Sequence, residues 1–323
     1  MPTYTHSNAS FTTSAAALLV SNGMLASILS IFVLSIYYYP RAALLYVWLP
    51  YYTIGFVSKW STRDGLQWHW FALNFPVFAI LRAHIGLTLE VSKNFSQEEK
   101  KKDAKFIFAI FPHGVGSDFR VLLQGMLPSL APNIHAKIRS LAASVLFVLP
   151  IIREITLFTG CIDASRSVAN RALKNGRSLI ILPGGEAEQL MTKRGVEKIY
   201  LKSRKGFIKL AMRHGVPVVP CYVFGSNDLF HTSEILAGPR QWLVKNLGVC
   251  IPMTWGYLGT LCPLPVKNTI CFGDTVEYKC KVDGEPTDEE LNAAHADFCE
   301  KIKALFDSKK KIYGCEDREL IIV

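Results

Sequence analysis

The chain has 323 residues, half of them apolar and only 19% charged, with a formal net charge of +10. That length carries one large domain or two ordinary ones, and the apolar excess directs the search first to a membrane segment. The basic residues form no dense stripe and no nucleic-acid reader motif, which excludes a nucleic-acid partner.

The first fourteen residues are polar and carry no Lys or Arg. Residues 15–39 are almost wholly apolar, long enough to cross a bilayer core as a helix. A signal peptide fits poorly, because no basic stretch precedes the run. Pro40 and Arg41 interrupt, and residues 42–57 form a second apolar stretch with Trp48, Tyr51 and Tyr52 placed as interface residues. Residues 15–57 are therefore expected to form a transmembrane or re-entrant hairpin with both ends on one side. Lys59 and Arg63 suit a cytosolic exit, whereas Arg41 at the tip pulls the other way. A buried core helix followed by a loop fits the same residues. Residues 58–104 read as an interfacial segment and linker: aromatic-rich to Glu90, with His69 and His84 as packing histidines, then charged from 91 to 103. The lysine clusters 100–102 and 309–311 suit solvated surface or anionic headgroups.

The globular part is expected from residue 105 to the end. Strand-like runs recur at 105–111, 178–182, 217–224 and 269–272, and helical patterns at 118–127, 136–149, 165–175 and 203–214. Asn175-Gly176 and His214-Gly215 read as helix stops. A last helix over 287–309 begins with the Thr287–Glu290 capping-box spacing. This alternation predicts an α/β domain with a partly parallel sheet. The eight cysteines (Cys161, Cys221, Cys250, Cys262, Cys271, Cys280, Cys299 and Cys315) contain no CxxC pair. The sequence thus predicts no metal site or redox motif, and a reducing compartment.

The stretch KFIFAIFPHGVGSDFR, residues 105–120, carries the chemistry. An apolar strand stops at Pro112, and His113 follows at its carboxyl end, with Gly114 and Gly116 loosening the turn and Asp118 five positions on. Ligands bind at the carboxyl ends of strands in such sheets, and histidine moves protons near neutral pH. A capped loop histidine followed by a helix-starting aspartate is the plainer reading. Three other stretches stand out. GCIDASR places Arg166 at a helix start, within reach of a phosphate or simply exposed behind an N-cap. LPGGEAE sets Gly184, Gly185 and Glu188 after a buried strand, and it lacks the GK[ST] of a nucleotide loop. RKGFIKLA puts Arg204 and Lys205 at the head of a helix, where they invite a phosphorylated ligand.

FPHG with its aspartate, GCIDASR, LPGGEAEQL, RKGFIKLAMRHGVPVVPCYVFGSND and the apolar hairpin together resemble the diacylglycerol acyltransferase type 2 family, which also holds monoacylglycerol and wax-alcohol acyltransferases. The resemblance runs from about residue 56 to the C-terminus. It implies a glycerolipid-acyltransferase-like α/β domain behind an N-terminal membrane hairpin. It also implies an endoplasmic-reticulum membrane enzyme with a cytosolic catalytic domain, extending to lipid droplets. The implied reaction moves an acyl group from acyl-coenzyme A to diacylglycerol. Monoacylglycerol, a long-chain alcohol, a lysophospholipid or glycerol phosphate are the alternative acceptors. Acyl-CoA is then a substrate, no cofactor or metal is needed, the partners are the neutral-lipid acceptor and the bilayer, and a homo-oligomer is compatible. Many animal members read HPHG where this chain has Phe111, so His113 is the one base in the motif, and Asp118 completes the HxxxxD spacing of the wider glycerolipid acyltransferases. On this reading His113 is the general base, with Asp118 or Glu188 fixing its imidazole. Backbone N–H groups of Gly114, Gly116, Gly184 or Gly185 meet the oxyanion, and Arg166, Arg204 and Lys205 bind the coenzyme A phosphates.

Overall fold

The apolar run 105–111 becomes the middle of a seven-stranded sheet in the computed structural model, which describes residues 6–247, 250–280 and 285–323. The first five residues of the polar tail lie outside that description. In chain order the strands are β1 (Thr88–Val91), β2 (Ile107–Phe111), β3 (Ile138–Ala142), β4 (Cys161–Asp163), β5 (Ser178–Ile181), β6 (Lys198–Ile199), β7 (Val218–Phe224), β8 (His231–Thr232), β9 (Thr254–Trp255), β10 (Thr269–Phe272) and β11 (Ile321–Ile322). The main sheet runs β1-β10-β7-β2-β5-β3-β4. Every neighbour is parallel except the β10–β7 pair. The expected mixed α/β domain with a partly parallel sheet is therefore present.

Both faces of this sheet are covered, which is why its strands read as continuous apolar runs rather than alternating ones. Successive side chains of β2 point to opposite faces. Ile107, Ala109 and Phe111 join one core, under the helices Arg166–Lys174, Gly206–His214 and Asp288–Lys309. Phe106, Phe108 and Ile110 join the other, with Phe95, Phe119 and Phe272. The Thr287–Glu290 capping box forms as the sequence predicts, with Glu290 N–H donating to Thr287 Oγ1 at 3.2 Å and Thr287 N–H donating to Glu290 Oε2 at 2.9 Å.

Three strands of the main sheet, β1, β3 and β4, escaped the sequence pattern. The helix expected over 136–149 is instead β3 followed by a short 3₁₀ turn, Ser144–Phe147. Its alanine- and leucine-rich letters favour a helix locally, but the segment sits between β4 and β5 and its backbone pairs on both sides, and tertiary pairing overrides a weak propensity. β4 is only three residues long. β1 and the helix Lys93–Glu98 fall in the stretch read as interface and linker, yet both belong to the domain. Phe95 is the reason: fully buried, it packs against Phe106 and Phe108 and draws its otherwise polar helix onto the sheet.

The apolar N-terminal segment is helical from Phe11 to Tyr38, with Ser10 Oγ accepting the Thr13 N–H at 3.1 Å as its cap. After Pro40 the chain turns through a π-helical stretch, Ala43–Trp48, into the helix Leu49–Ser58. Among the described residues no single helix is long and apolar enough to cross a membrane. The pair Ser30–Tyr38 and Pro40–Thr62, bent by 116°, reaches that length and apolarity together. Leu19, Tyr46 and Phe56 are each more than 70% exposed. The exit of this segment is tied to the domain: Tyr51 O–H donates to Glu154 Oε2 at 2.7 Å, and the Arg153 guanidinium lies 3.9 Å from the Tyr51 ring centre.

Candidate active site

Because β2, β5, β3 and β4 are parallel neighbours, their carboxyl ends share one edge of the sheet. That edge opens on a cavity of about 590 Å³, and the sequence-predicted residues His113, Gly116, Arg166, Gly185 and Arg204 line it. The loops after four separate strands thus converge on one place, where the general rule for such sheets puts a ligand.

His113 stands two residues beyond β2, after a cis Phe111–Pro112 peptide. Its Nδ1 lies 3.0 Å from the Gly114 carbonyl oxygen. A carbonyl can only accept, so Nδ1 carries the proton and the lone pair is on Nε2. Burial pushes the imidazole below its ordinary value of 6.5, the Gly114 carbonyl and Glu186 oppose that, and Arg120 reinforces it. At neutral pH the ring is uncharged and basic. Gly114 has to be glycine: its φ is +67°, and a Cβ there would lie 2.5 Å from Ser226 Oγ.

Two expectations are corrected here. Neither carboxylate expected to orient the imidazole bonds to it among the described residues. Asp118 starts the helix Asp118–Leu123 and turns back on its own N–H beside Gly116, since the first N–H groups of a helix have no helical partner and compete for the carboxylate. Burial raises the Asp118 pKa. Glu188 is 1% exposed and accepts two backbone N–H groups, that of His113 on Oε1 and that of Tyr200 on Oε2, the latter at 2.7 Å. It positions the histidine loop rather than the ring. Two further predicted residues stand elsewhere. Gly184 and Gly114 shape turns without lining the cavity, and Lys205 belongs to a neighbouring cavity, with its Nζ 2.6 Å from Asn292 Oδ1.

The sequence pattern missed Arg120 and Glu186, which both line the cavity. Arg120 is buried and donates to Cys161 Sγ. Glu186 lay in the quoted LPGGEAE stretch, and its position two residues before Glu188 was the available signal. Residues two apart on a helix do not share a face, so when Glu188 turns inward to the backbone, Glu186 faces elsewhere.

Glu188→Gln tests the positioning role. Burial raises the Glu188 pKa to about 7 from an ordinary 4.5. The folded state thus holds this proton more tightly than the unfolded chain. Its stabilising effect is complete below pH 4.5 and is lost as the pH rises through 7. The stability of wild type minus that of Glu188→Gln, from urea titrations, should fall by roughly 3 kcal/mol across that window and stay level above it. A difference that rises with pH would contradict the assignment.

The family model described as diacylglycerol acyltransferase matches residues 31–323. The chain is 24% identical to 2-acylglycerol O-acyltransferase 1 of Mus musculus, over 86% of this chain and 85% of that protein. It is 29% identical to diacylglycerol O-acyltransferase 2 of Dictyostelium discoideum, over 80% and 76%. It is 27% identical to diacylglycerol O-acyltransferase 2 of Homo sapiens, over 87% and 74%. With residues 31–323 matched, nearly the whole chain, the chain belongs to the diacylglycerol acyltransferase family.

Proposed function

We propose that this protein transfers a fatty acyl group from acyl-coenzyme A to the hydroxyl of diacylglycerol, forming triacylglycerol at a membrane surface. The carrying observation is the His113 imidazole at the cavity on the sheet edge, its Nδ1 proton held by the Gly114 carbonyl. His113 Nε2 takes the proton from the acceptor hydroxyl as its oxygen bonds to the thioester carbonyl carbon. The carbon–sulfur bond then breaks, and the coenzyme A thiolate leaves and takes up the proton. The Gly185 N–H already donates to the Leu182 carbonyl at 3.2 Å, which leaves the Gly116 N–H as the backbone donor for the oxyanion, with the Arg120 charge nearby. Arg166 and Arg204 face the donor's phosphates. Glu188 and Asp118 hold the loop and the helix start on either side.

The membrane part of the proposal rests on the exposed apolar surface of the bent N-terminal pair and on its anchor to the domain through Tyr51, Arg153 and Glu154. Those helices sit in the endoplasmic-reticulum bilayer, where diacylglycerol is dissolved, with the catalytic domain on the cytosolic side. The mouse relative named 2-acylglycerol O-acyltransferase 1 favours monoacylglycerol as the second acceptor.

The test uses membranes from cells without neutral-lipid synthesis of their own. Labelled oleoyl-CoA is offered with equal diacylglycerol, monoacylglycerol and lysophosphatidic acid. Label mainly in triacylglycerol formed from the supplied diacylglycerol is the expected result. Label mainly in diacylglycerol would transfer the assignment to monoacylglycerol, and label mainly in phosphatidic acid would refute both.

A further inference from the structure

The catalytic cavity continues into a second of about 520 Å³, and the two share Leu141, Arg166, Ile181, Ser203 and Phe207. The second one is basic on one side and apolar on the other. Lys205, Lys209 and Arg213 recur every fourth residue, so they stand in a row along the helix Gly206–His214 and its N-cap. Like charges at that spacing repel and weaken an isolated helix. The row therefore calls for an anion, and the structure shows one in place. Glu285 Oε1 lies 2.7 Å from Lys209 Nζ, and its two oxygens take Arg213 Nη2 and Nε, each at 2.6 Å. That two-pronged geometry is the one an arginine offers a phosphate. The hydrogen bonds from Arg213 and Lys209 hold the Glu285 carboxyl far down, at about 2. More than half exposed, Glu285 is free to be displaced. Leu141, Phe207 and Leu291 supply an apolar wall against which a flat ring can lie.

We propose that Lys209 and Arg213 bind the phosphate monoester of the donor's 3′-phosphonucleotide end, with Glu285 occupying its place until the donor arrives. The inference rests on the acyl-CoA reading above and extends it. The acyl thioester lies by His113 in the first cavity, and the nucleotide lies in the second, past Arg166 at the junction. The 3′-phosphate then distinguishes coenzyme A from other carriers.

The experiment takes the full chain in detergent and measures binding of 3′,5′-ADP, 5′-AMP and inorganic phosphate by calorimetry. On the same preparation, oleoyl transfer is followed with oleoyl-CoA and with its 3′-dephospho counterpart. Wild type should bind 3′,5′-ADP about tenfold more tightly than 5′-AMP, the effect of one charge-assisted phosphate clamp. In Lys209→Ala/Arg213→Ala that ratio should fall to near one, and the KM difference between the two donors should vanish. Glu285→Gln should act in the opposite direction, tightening 3′,5′-ADP by about threefold as an exposed competing ion pair is removed. A double variant that keeps the full preference would overturn the proposal. So would inorganic phosphate binding as tightly as 3′,5′-ADP, or Glu285→Gln weakening the nucleotide. Intact nucleotide preference without any oleoyl transfer would refute the acyltransferase reading and leave this site standing.

Discussion

His113→Ala should reduce acyl transfer by about 10²- to 10⁴-fold, the usual contribution of a positioned general base, with the protein still folded. The side chain is only half-buried at the cavity wall, and its loop is held through the backbone by Glu188, so truncation removes the base without removing the bond that shapes the loop. The pH profile gives a second readout. The imidazole pKa is lowered by burial, so the base stays deprotonated to lower pH than a free histidine. The acid limb of wild-type kcat/KM should fall below the ordinary 6.5. Asp118→Asn should shift that limb far less than removal of the histidine costs, because the imidazole proton is held by the Gly114 carbonyl and not by this carboxylate. Equal transfer by wild type and His113→Ala would make the histidine structural.

Arg318→Ala should destabilise the domain by about 3 to 5 kcal/mol, the cost of removing one partner from a buried ion pair. Arg318 is 6% side-chain exposed and its Nη1 lies 2.7 Å from both Glu197 Oε1 and Asp228 Oδ2, which are 2% and 1% exposed. Tyr222 O–H donates to Glu197 at 2.7 Å, and Asp228 accepts the Gly195 N–H at 2.8 Å. Burial raises the Glu197 pKa, while the hydrogen bonds from Tyr222 and Arg318 pull it back. Without the arginine, two adjacent carboxylates remain in the interior without the cation that pairs with both. The same change reaches the active site, because β11 pairs with β6, and the next residue after β6, Tyr200, donates to Glu188 beneath His113. Urea unfolding in detergent measures the loss. Adding Glu197→Gln and Asp228→Asn to Arg318→Met should recover much of it, since an uncharged core of similar volume avoids the desolvation cost. A loss under about 1 kcal/mol for Arg318→Ala would show that water reaches the cluster.

The site divides into what local chemistry announced and what it did not. His113, Arg166 and Arg204 were legible because each follows a strand or opens a helix, and an α/β sheet brings such positions to one edge. The role of Glu188 was not legible. A glutamate near a histidine suggests a side-chain pair, whereas the observed bonds go to backbone N–H groups of residues 75 and 12 positions away. Nothing in the spacing of a carboxylate says which of its neighbours lacks a hydrogen bond.

By itself the sequence determined those elements whose signal is local. β2, β5, β7 and β10 are apolar runs ended by proline, glycine or polar residues, and the helices Arg166–Lys174, Gly206–His214 and Asp288–Lys309 carry their own stops or caps. The apolar helical character of residues 11–58, broken near Pro40, is also a matter of composition. The tertiary structure alone decided that 138–142 is a strand, that β1 and Phe95 belong to the sheet, and that the last residues of the chain brace the loop under the active site. Those outcomes depend on which backbone groups and buried charges meet across long stretches of chain. Such pairing energies outweigh local propensities of a few tenths of a kcal/mol, and no window of neighbouring residues contains them.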